Sequence, residues 1–180
     1  MVQPGNSFYE AARALLSALG APQTPENINA LVAWMWCEKP HPDGAWQWNN
    51  PLNTTLACCN WVRNVNQVGV KEYPTKADGI EATVRTLQRP YYPTLLAALR
   101  SGDVGAFLNA VNEIRTWGTN PDCIRSTYYS LPPPPAPPQG GVVVIGLPLW
   151  ERAVKYASVA AIIAGCALIG YGFARGKKAS

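Results

Sequence analysis

Glu38 is the residue whose type and position could most directly do chemistry. It ends a predicted helix in which Leu31 and Met35 mark the buried face, and the same helical spacing brings its carboxyl group onto that face. Trp34 and Trp36 lie beside it. Desolvation and the negative end of the helix dipole both disfavour the ionised form, so we expect a raised pKa for Glu38. A carboxylic acid that stays protonated near neutral pH can protonate the bridging oxygen of a glycosidic bond.

A second interpretation of Glu38 is an outward side chain neutralised by Lys39, a common arrangement at helix ends. The helix must end here, because Lys39-Pro40-His41-Pro42 cannot continue it. His41 is the only histidine, and no Cys or Asp stands at the spacing of a catalytic triad around it. We therefore interpret His41 as a loop residue.

Aromatic and amide side chains are concentrated around the same position. Four of the six tryptophans in the first 130 residues lie between positions 34 and 48. Flat aromatic faces stack on sugar rings, and neighbouring amides bind sugar hydroxyls. Core packing explains Trp34 and Trp36 equally well, because both lie on a helix, but it explains aromatic residues in a polar loop less well. The side chains expected to contact a sugar in this loop are Trp46, Trp48, Asn50 and Asn53.

A second carboxylate would be required for an ordinary inverting or retaining hydrolysis. Three acidic residues are candidates, and each has a simpler explanation. Asp78 is expected to cap a helix, and Asp43 stands in a Pro-Asp-Gly turn sequence. Glu72 alternates with Tyr73 on an extended segment. None of the three is a convincing partner for Glu38.

The elements that must position these residues are predicted to be helices. The capping box Ser7-x-x-Glu10 opens the first helix, and Thr24 followed by Pro25 opens the second. Residues 39–74 are rich in Pro, Asn, Trp and Gly, with one short extended candidate at 65–73. Further helices are predicted to start at Thr75 or Asp78, after Pro93 and after Asp103. The fold class is therefore mainly α, with one long polar, aromatic insertion.

Two strings in this region carry a family resemblance. LVAWMWCEKPHPDGAWQWNNPLNTT and VGVKEYPTKADGIEATVRTLQRPYYPTLLAAL resemble the lysozyme-like domains of bacteriophages and some bacteria, which are related to lytic transglycosylases and flagellar-type glucosaminidases. The ordered series is Glu38, NPLNTT, Tyr73, DGI and Tyr91. The resemblance implies a lysozyme-like fold in which Glu38 is the general acid, the turn from Asn50 to Asn53 lines the cleft, and Tyr73 orients the substrate. A core tyrosine at a strand end is the alternative for Tyr73.

The chain also departs from the transglycosylase pattern at two places. Many transglycosylases carry Ser directly after the catalytic Glu, and a Gly-Leu-Met-Gln turn. Here Lys39 and the turn NPLN stand at those positions. A lysozyme-type hydrolase thus stays open beside a transglycosylase, while an endo-glucosaminidase fits less well.

The C-terminal fifty residues have the composition of a linker and an anchor. Residues 131–141 read LPPPPAPPQGG, a semi-rigid polyproline spacer, and they separate the domain at 1–130 from an anchor segment at 142–180. The 19 residues from Tyr156 to Ala174 carry no charge and, as a helix, would cover roughly 28 Å of a bilayer. We predict a single transmembrane helix at about 154–174. Basic residues flank it on both sides, which argues against the alternative of a buried helix, and their excess at the C-terminal end favours a cytoplasmic position for that end.

Charge and cysteine content exclude several classes of function. The net charge of the 180-residue chain is +4, but residues 1–130 contain ten Lys/Arg and ten Asp/Glu, so no basic face for nucleic acid is expected. The N-terminus has no basic leader and reads as an amphipathic helix rather than a signal peptide. Four cysteines, Cys37, Cys58, Cys59 and Cys123, are compatible with disulfides but lack the C-x-x-C spacing of a metal site. We predict neither a metal nor a cofactor.

Together with the resemblance, these patterns predict a membrane-anchored enzyme that cleaves the β-1,4 glycan backbone of peptidoglycan. It would be located in a phage virion or in the host cell envelope and used to penetrate the wall. Its partners would be the glycan strands of peptidoglycan, a lipid bilayer and other virion proteins. The competing prediction is a virion structural or wall-binding protein that keeps the lysozyme-like fold without activity. A holin-like pore former is a third alternative, but a folded domain of 130 residues would have no role in it.

Overall fold

The computed structural model describes residues 4–39, 44–59 and 61–137. In these ranges the chain is mainly helical, which confirms the prediction of a mainly α domain. No helix there is both long and apolar enough to cross a bilayer. His41, Asp43, the end of the linker and the anchor segment with its predicted transmembrane helix lie outside the described residues. The helices are α1 Asn6–Leu19, α2 Pro25–Glu38, α3 Lys76–Leu87, α4 Pro93–Ser101, α5 Val104–Ala110 and α6 Pro121–Ser130.

Helix α2 forms the centre of the domain. Every residue from Asn27 to Met35 is buried, so this helix has no solvent face over more than two turns. Helices α1 and α6 pack against it, and α5 also contacts it. The largest fully buried side chains include Trp34 of α2, Phe8 of α1 and Phe107 of α5. The end of α2 therefore emerges from the core at Glu38.

Helix α1 begins differently from the prediction. The predicted capping box at Ser7 is wrong: the helix starts at Asn6, Gly5 is the N-cap, and no side chain caps it. The earlier start buries Phe8 and Tyr9 within the first turn. The Ser7 hydroxyl is buried without a hydrogen-bond partner in the described structure. Burial of apolar side chains has therefore outweighed the local capping preference.

The segment between α2 and α3 has little regular structure. Gly44–Asn49 forms a short 3-10 segment, interrupted at Gln47 and Trp48. The strands β1 Arg63–Asn64 and β2 Lys71–Glu72 pair antiparallel as a small hairpin. The extended candidate at 65–73 is thus confirmed only at its C-terminal end, because its first residues form the hairpin turn.

The helices after this segment start mostly where local signals place them. Thr75 is the N-cap of α3 and Asp78 closes a capping box with it, so the alternative start at Asp78 is wrong. Asp103 caps α5, which ends at Ala110 and continues as a 3-10 helix, Val111–Thr116. Helix α6 was not predicted. Its N-cap is Asn120, whose side chain accepts a hydrogen bond from the backbone N–H of Asp122, and Pro121 occupies its first turn.

A disulfide and a docked linker complete the domain. Cys37 of α2 is bonded to Cys123 of α6, at a sequence separation of 86 residues. Asn29 donates to the carbonyl of Pro132 at 3.0 Å, and Arg13 donates to that of Pro135 at 2.6 Å. Polyproline II has three residues per turn, so these two carbonyls lie on one face of the segment. The first turn of the proline-rich segment is therefore held against the helical domain.

Candidate active site

The carboxyl group of Glu38 is held by side chains from two distant parts of the chain. Thr119, just before α6, donates a hydrogen bond from its hydroxyl to Oε1. Asn53 directs its amide Nδ2 to Oε2 at 3.3 Å and to the Glu38 carbonyl oxygen at 3.4 Å. The side chain is partly buried. Glu38 is therefore oriented by neighbours rather than free in solvent.

Burial raises the pKa of Glu38 to about 7. The hydrogen bond from Asn53, the nearby indole N–H of Trp34 and the positive charge of Lys39 each lower it, but desolvation is the largest effect. Near neutral pH the group therefore exists in both protonation states. A carboxyl group in this condition can donate a proton in one step and accept one in the next.

Lys39 does not neutralise Glu38 through an ion pair in the described structure. Its side chain is buried, and its ammonium group donates to the carbonyl oxygens of Gln47 at 3.0 Å and Asn50 at 2.5 Å. Burial lowers the pKa of Lys39 to about 8, with the charge of Glu38 opposing that shift. The role of Lys39 is to hold the loop beside the carboxyl group.

Asn50 lies inside the turn rather than on its surface. It is fully buried, and its amide donates to the carbonyl oxygens of Thr54 at 2.9 Å and Lys71 at 2.8 Å. Its own oxygen accepts from the Thr54 backbone N–H at 2.9 Å. Asn50 therefore shapes the turn, in place of the sugar contact that its sequence position predicts. Asn53, in contrast, faces Glu38, and its Oδ1 is a buried acceptor without a hydrogen-bond partner in the described structure.

Tyr73 also lies inside the domain rather than on an open surface. Its side chain is buried, and its hydroxyl donates to the carbonyl oxygen of Leu56 at 2.6 Å. Its backbone N–H donates to the carbonyl of Trp48 at 2.9 Å. The structure thus favours the alternative of a core tyrosine over substrate orientation, because no face of the ring is open to a ligand.

Trp46 and Trp48 lie on the loop that Lys39 holds. Both are half-buried, and each ring has a lysine ammonium near it, Lys76 at 4.7 Å from Trp46 and Lys39 at 5.4 Å from Trp48. Trp48 and Asn49 adopt left-handed backbone angles, with φ of 60° and 53°. Both side chains are therefore partly exposed, although a lysine lies over one face of each ring.

Gly79 is required for the close contact between α3 and this loop. A Cβ at this position would lie 1.6 Å from the carbonyl oxygen of Asn49. We expect Gly79→Ala to lower the free energy of unfolding by about 2 kcal/mol or more, because the loop must move away. Denaturant unfolding measures this. Gly105→Ala on α5, where the new Cβ would meet the Oδ1 of the capping Asp103 at 3.3 Å, should have a much smaller effect, because a side chain can shift more readily than a backbone carbonyl; an equal loss in both variants would contradict the prediction.

Two of the three candidate second carboxylates are engaged elsewhere. Glu72 pairs with Arg63 across the hairpin, and Asp78 accepts from Thr75 in the capping box of α3. Asp43 lies outside the described residues. In the part of the chain that the structure describes, no second carboxylate is among the groups that shift the pKa of Glu38.

Sequence reasoning missed Thr119 and Trp117. Trp117 donates from its indole nitrogen to the carbonyl oxygen of Leu52 at 2.6 Å, and its ring packs edge-on against Trp34 at 5.1 Å. It therefore supports the turn that carries Asn53. The available signal was Asn120-Pro121, a helix start that would have placed a structured element directly after Thr119.

The burial of Glu38 makes stability depend on pH. An unfolded Glu has a pKa of about 4.3, whereas that of folded Glu38 is about 7. Between these values the unfolded chain releases a proton that the folded chain keeps, so the free energy of unfolding falls as pH rises through this window. We expect Glu38→Gln to be more stable than wild type by about 2 to 3 kcal/mol at pH 7.5, and equally stable at pH 4. Denaturant unfolding at both pH values tests this, and a difference independent of pH would contradict it.

The arrangement assembles one proton-exchanging carboxyl group, two orienting side chains and a partly accessible aromatic loop. In the described ranges, no three His, Cys, Asp or Glu side chains are grouped as a metal site would require. Comparison of the chain with protein families, with curated proteins and with solved structures found no match.

Proposed function

We propose that this chain cleaves the β-1,4 glycan backbone of peptidoglycan, as a lytic transglycosylase or muramidase with a lysozyme-like catalytic domain. The observation that carries the proposal is the Glu38 carboxyl group, which is desolvated at the end of α2, hydrogen-bonded by Thr119 and Asn53, and has a pKa of about 7. The resemblance of the sequence around Glu38 to lysozyme-like domains supports the same chemistry. Trp46 and Trp48 supply the aromatic surface for the sugar.

The reaction begins with protonated Glu38. The carboxylic acid gives its proton to the bridging oxygen, and the bond between that oxygen and the muramyl C1 breaks. The carboxylate that remains then accepts the proton of the muramyl 6-hydroxyl while the 6-oxygen bonds to C1. The products are a free 4-hydroxyl on one strand and a 1,6-anhydromuramyl end on the other, and Glu38 is protonated again.

These two reaction steps require only one carboxylate, and for this reason the reaction fits the site. Glu72 and Asp78 are bonded to other groups. A hydrolase would use the same first step, with water in place of the 6-hydroxyl and Glu38 as its general base. The product therefore separates the two reactions, whereas the role of Glu38 in the first step is common to both.

The proposed setting is a membrane-anchored enzyme of a phage virion or host envelope. The uncharged residues 156–174, within the predicted helix at about 154–174, would enter a bilayer. The part of the proline-rich segment beyond its docked first turn would hold the domain away from the bilayer toward the wall. Neutral charge over residues 1–130 suits a wall substrate better than a nucleic acid. Other virion proteins are further partners in this setting.

A wall-binding protein without activity is the second candidate function. It is favoured by the buried positions of Asn50 and Tyr73, since neither residue is available to the substrate as the resemblance implies. In such a protein Trp46 and Trp48 would still bind glycan, but Glu38 would have no chemical role.

Digestion of purified peptidoglycan with the full chain in detergent micelles tests the proposal. We expect glycan fragments with 1,6-anhydromuramyl ends in mass spectrometry. Reducing muramic acid ends would assign the hydrolase, and reducing glucosamine ends would assign a glucosaminidase. Binding of intact peptidoglycan without any fragments would overturn the enzymatic proposal and favour the wall-binding protein.

A further inference from the structure

We infer that Thr119 is a positioning residue that, together with Trp34, makes Oε1 of Glu38 a permanent hydrogen-bond acceptor and leaves Oε2 as the oxygen that delivers the acid proton. This inference rests on the proposed function of Glu38 as the acid. The residue type alone does not show which of the two carboxyl oxygens carries the acid proton, and the inference assigns that role to one of them.

The direction of the Thr119 hydrogen bond follows from its neighbours. The indole nitrogen of Trp34 can only donate, and it lies 3.2 Å from the Thr119 hydroxyl oxygen in a fully buried position. Thr119 is itself buried, so its single proton requires an acceptor. In the described structure that acceptor is Oε1 of Glu38. The chain of hydrogen bonds therefore runs from Trp34 through Thr119 to Oε1.

The other oxygen of Glu38, Oε2, accepts a longer and weaker hydrogen bond. Among the described residues, Oε2 accepts only the 3.3 Å contact from Asn53 Nδ2, which also donates to the Glu38 carbonyl oxygen at 3.4 Å. A proton on Oε1 would leave the Thr119 hydroxyl without its acceptor, whereas a proton on Oε2 displaces only this long contact. The proton of the neutral form consequently belongs on Oε2.

The backbone around this hydrogen bond is covalently fixed. Thr119 stands four residues before Cys123, and Glu38 directly follows Cys37, which is bonded to Cys123. The disulfide thus ties together the two segments that carry donor and acceptor. The charged group that acts on Glu38 from a described element is Lys39, whose ammonium is engaged by Gln47 and Asn50. Neither contact competes with Thr119 for Oε1.

Thr119→Val and Thr119→Ser test the inference in the full chain. Valine keeps the shape of the side chain but removes the donor, whereas serine keeps the hydroxyl. Glu38 is titrated by ¹³C NMR after labelling the glutamate carboxyl carbons, and its signal is identified by its loss in Glu38→Gln. Peptidoglycan cleavage is measured against pH in parallel. Thr83→Val is the matched control, because Thr83 is also a buried threonine and its hydroxyl, within the described residues, donates only to the Gly79 carbonyl oxygen of its own helix.

We expect Thr119→Val to raise the pKa of Glu38 by about one unit, because the ionised form loses a hydrogen bond. The apparent pKa of the alkaline limb of the pH profile for cleavage should rise by the same amount. The value of kcat should fall about tenfold, because the carboxyl group is no longer oriented. Thr119→Ser and Thr83→Val should resemble wild type. An unchanged titration in folded Thr119→Val, or equal shifts in the serine and valine variants, would overturn the inference.

The outcomes also separate this inference from the proposed function. A shifted titration in a protein that never cleaves peptidoglycan would retain the Thr119 contact but remove the enzymatic proposal, and with it the proton-delivery role of Oε2. Cleavage that depends on Glu38, together with a titration that does not respond to Thr119→Val, would retain the enzyme and remove the positioning role.

Discussion

Glu38→Gln is expected to lower the rate of peptidoglycan cleavage by about 10³-fold, since general acid catalysis contributes roughly 10² to 10⁴ to rates of this kind. Glutamine keeps the shape of the side chain and can still accept from Thr119, but it cannot give a proton to the bridging oxygen. Zymography with peptidoglycan in the gel, followed by measurement of the initial rate of fragment release, gives the size of the loss.

Glu81→Gln is the matched control for this experiment. Glu81 is a partly exposed residue of α3 paired with Arg85 in the next turn, and an exposed pair of this kind contributes little to stability. Its replacement should leave both activity and folding unchanged. Equal clearing by wild type and Glu38→Gln would remove Glu38 from the mechanism. A Glu38→Gln protein that is inactive because it is unfolded would be recognised by circular dichroism, and the pH-dependent gain in stability expected above argues against that result.

Removal of the disulfide is expected to cause the largest loss of stability. A double variant with Cys37→Ser and Cys123→Ser should lose about 4 kcal/mol of unfolding free energy, because the bond closes a loop of 86 residues in the unfolded chain. A loss of this size corresponds to a decrease in Tm of roughly 15 °C for a domain of this length. Thermal unfolding followed by circular dichroism measures it.

The same double variant should also lose activity below its Tm. The bond joins α2 next to Glu38 to α6 near Thr119, so its removal loosens the contact that orients the carboxyl group. Cys58→Ser with Cys59→Ser is the control, because these two thiols are free and only partly buried. A control pair that destabilises as much as the first pair would show that the loss comes from cysteine replacement in general, and would contradict the prediction.

Local signals were sufficient for several elements. Thr24 with Pro25 and the cap at Asp103 start helices where the sequence predicts them, because capping and the fixed φ of proline act within one turn. The same kind of signal at Asn120-Pro121 was present but was not recognised as the start of α6. At Ser7 the local signal was misleading, because burial of the first turn of α1 favoured an earlier start.

The irregular segment between α2 and α3 could not be predicted in the same way. It has no period that separates inward from outward side chains, so the burial of Asn50 and Tyr73 depended on contacts with Lys71, Thr54 and Leu56. Trp48 has a left-handed backbone angle that its residue type rarely adopts, and Asn49, of a type that adopts such angles more often, follows it with another. In this segment the hydrogen bonds decided which polar side chains face the site.

The sequence by itself determined that Glu38 ends a helix on its buried face, because helical periodicity relates residues only three and four positions apart. Only the tertiary structure decided what surrounds the carboxyl group. Thr119 lies 81 residues away along the chain, and Asn53 approaches from a turn supported by Trp117. Such contacts form when α6 packs against α2 and the disulfide closes, and no local pattern encodes which side chains will meet there.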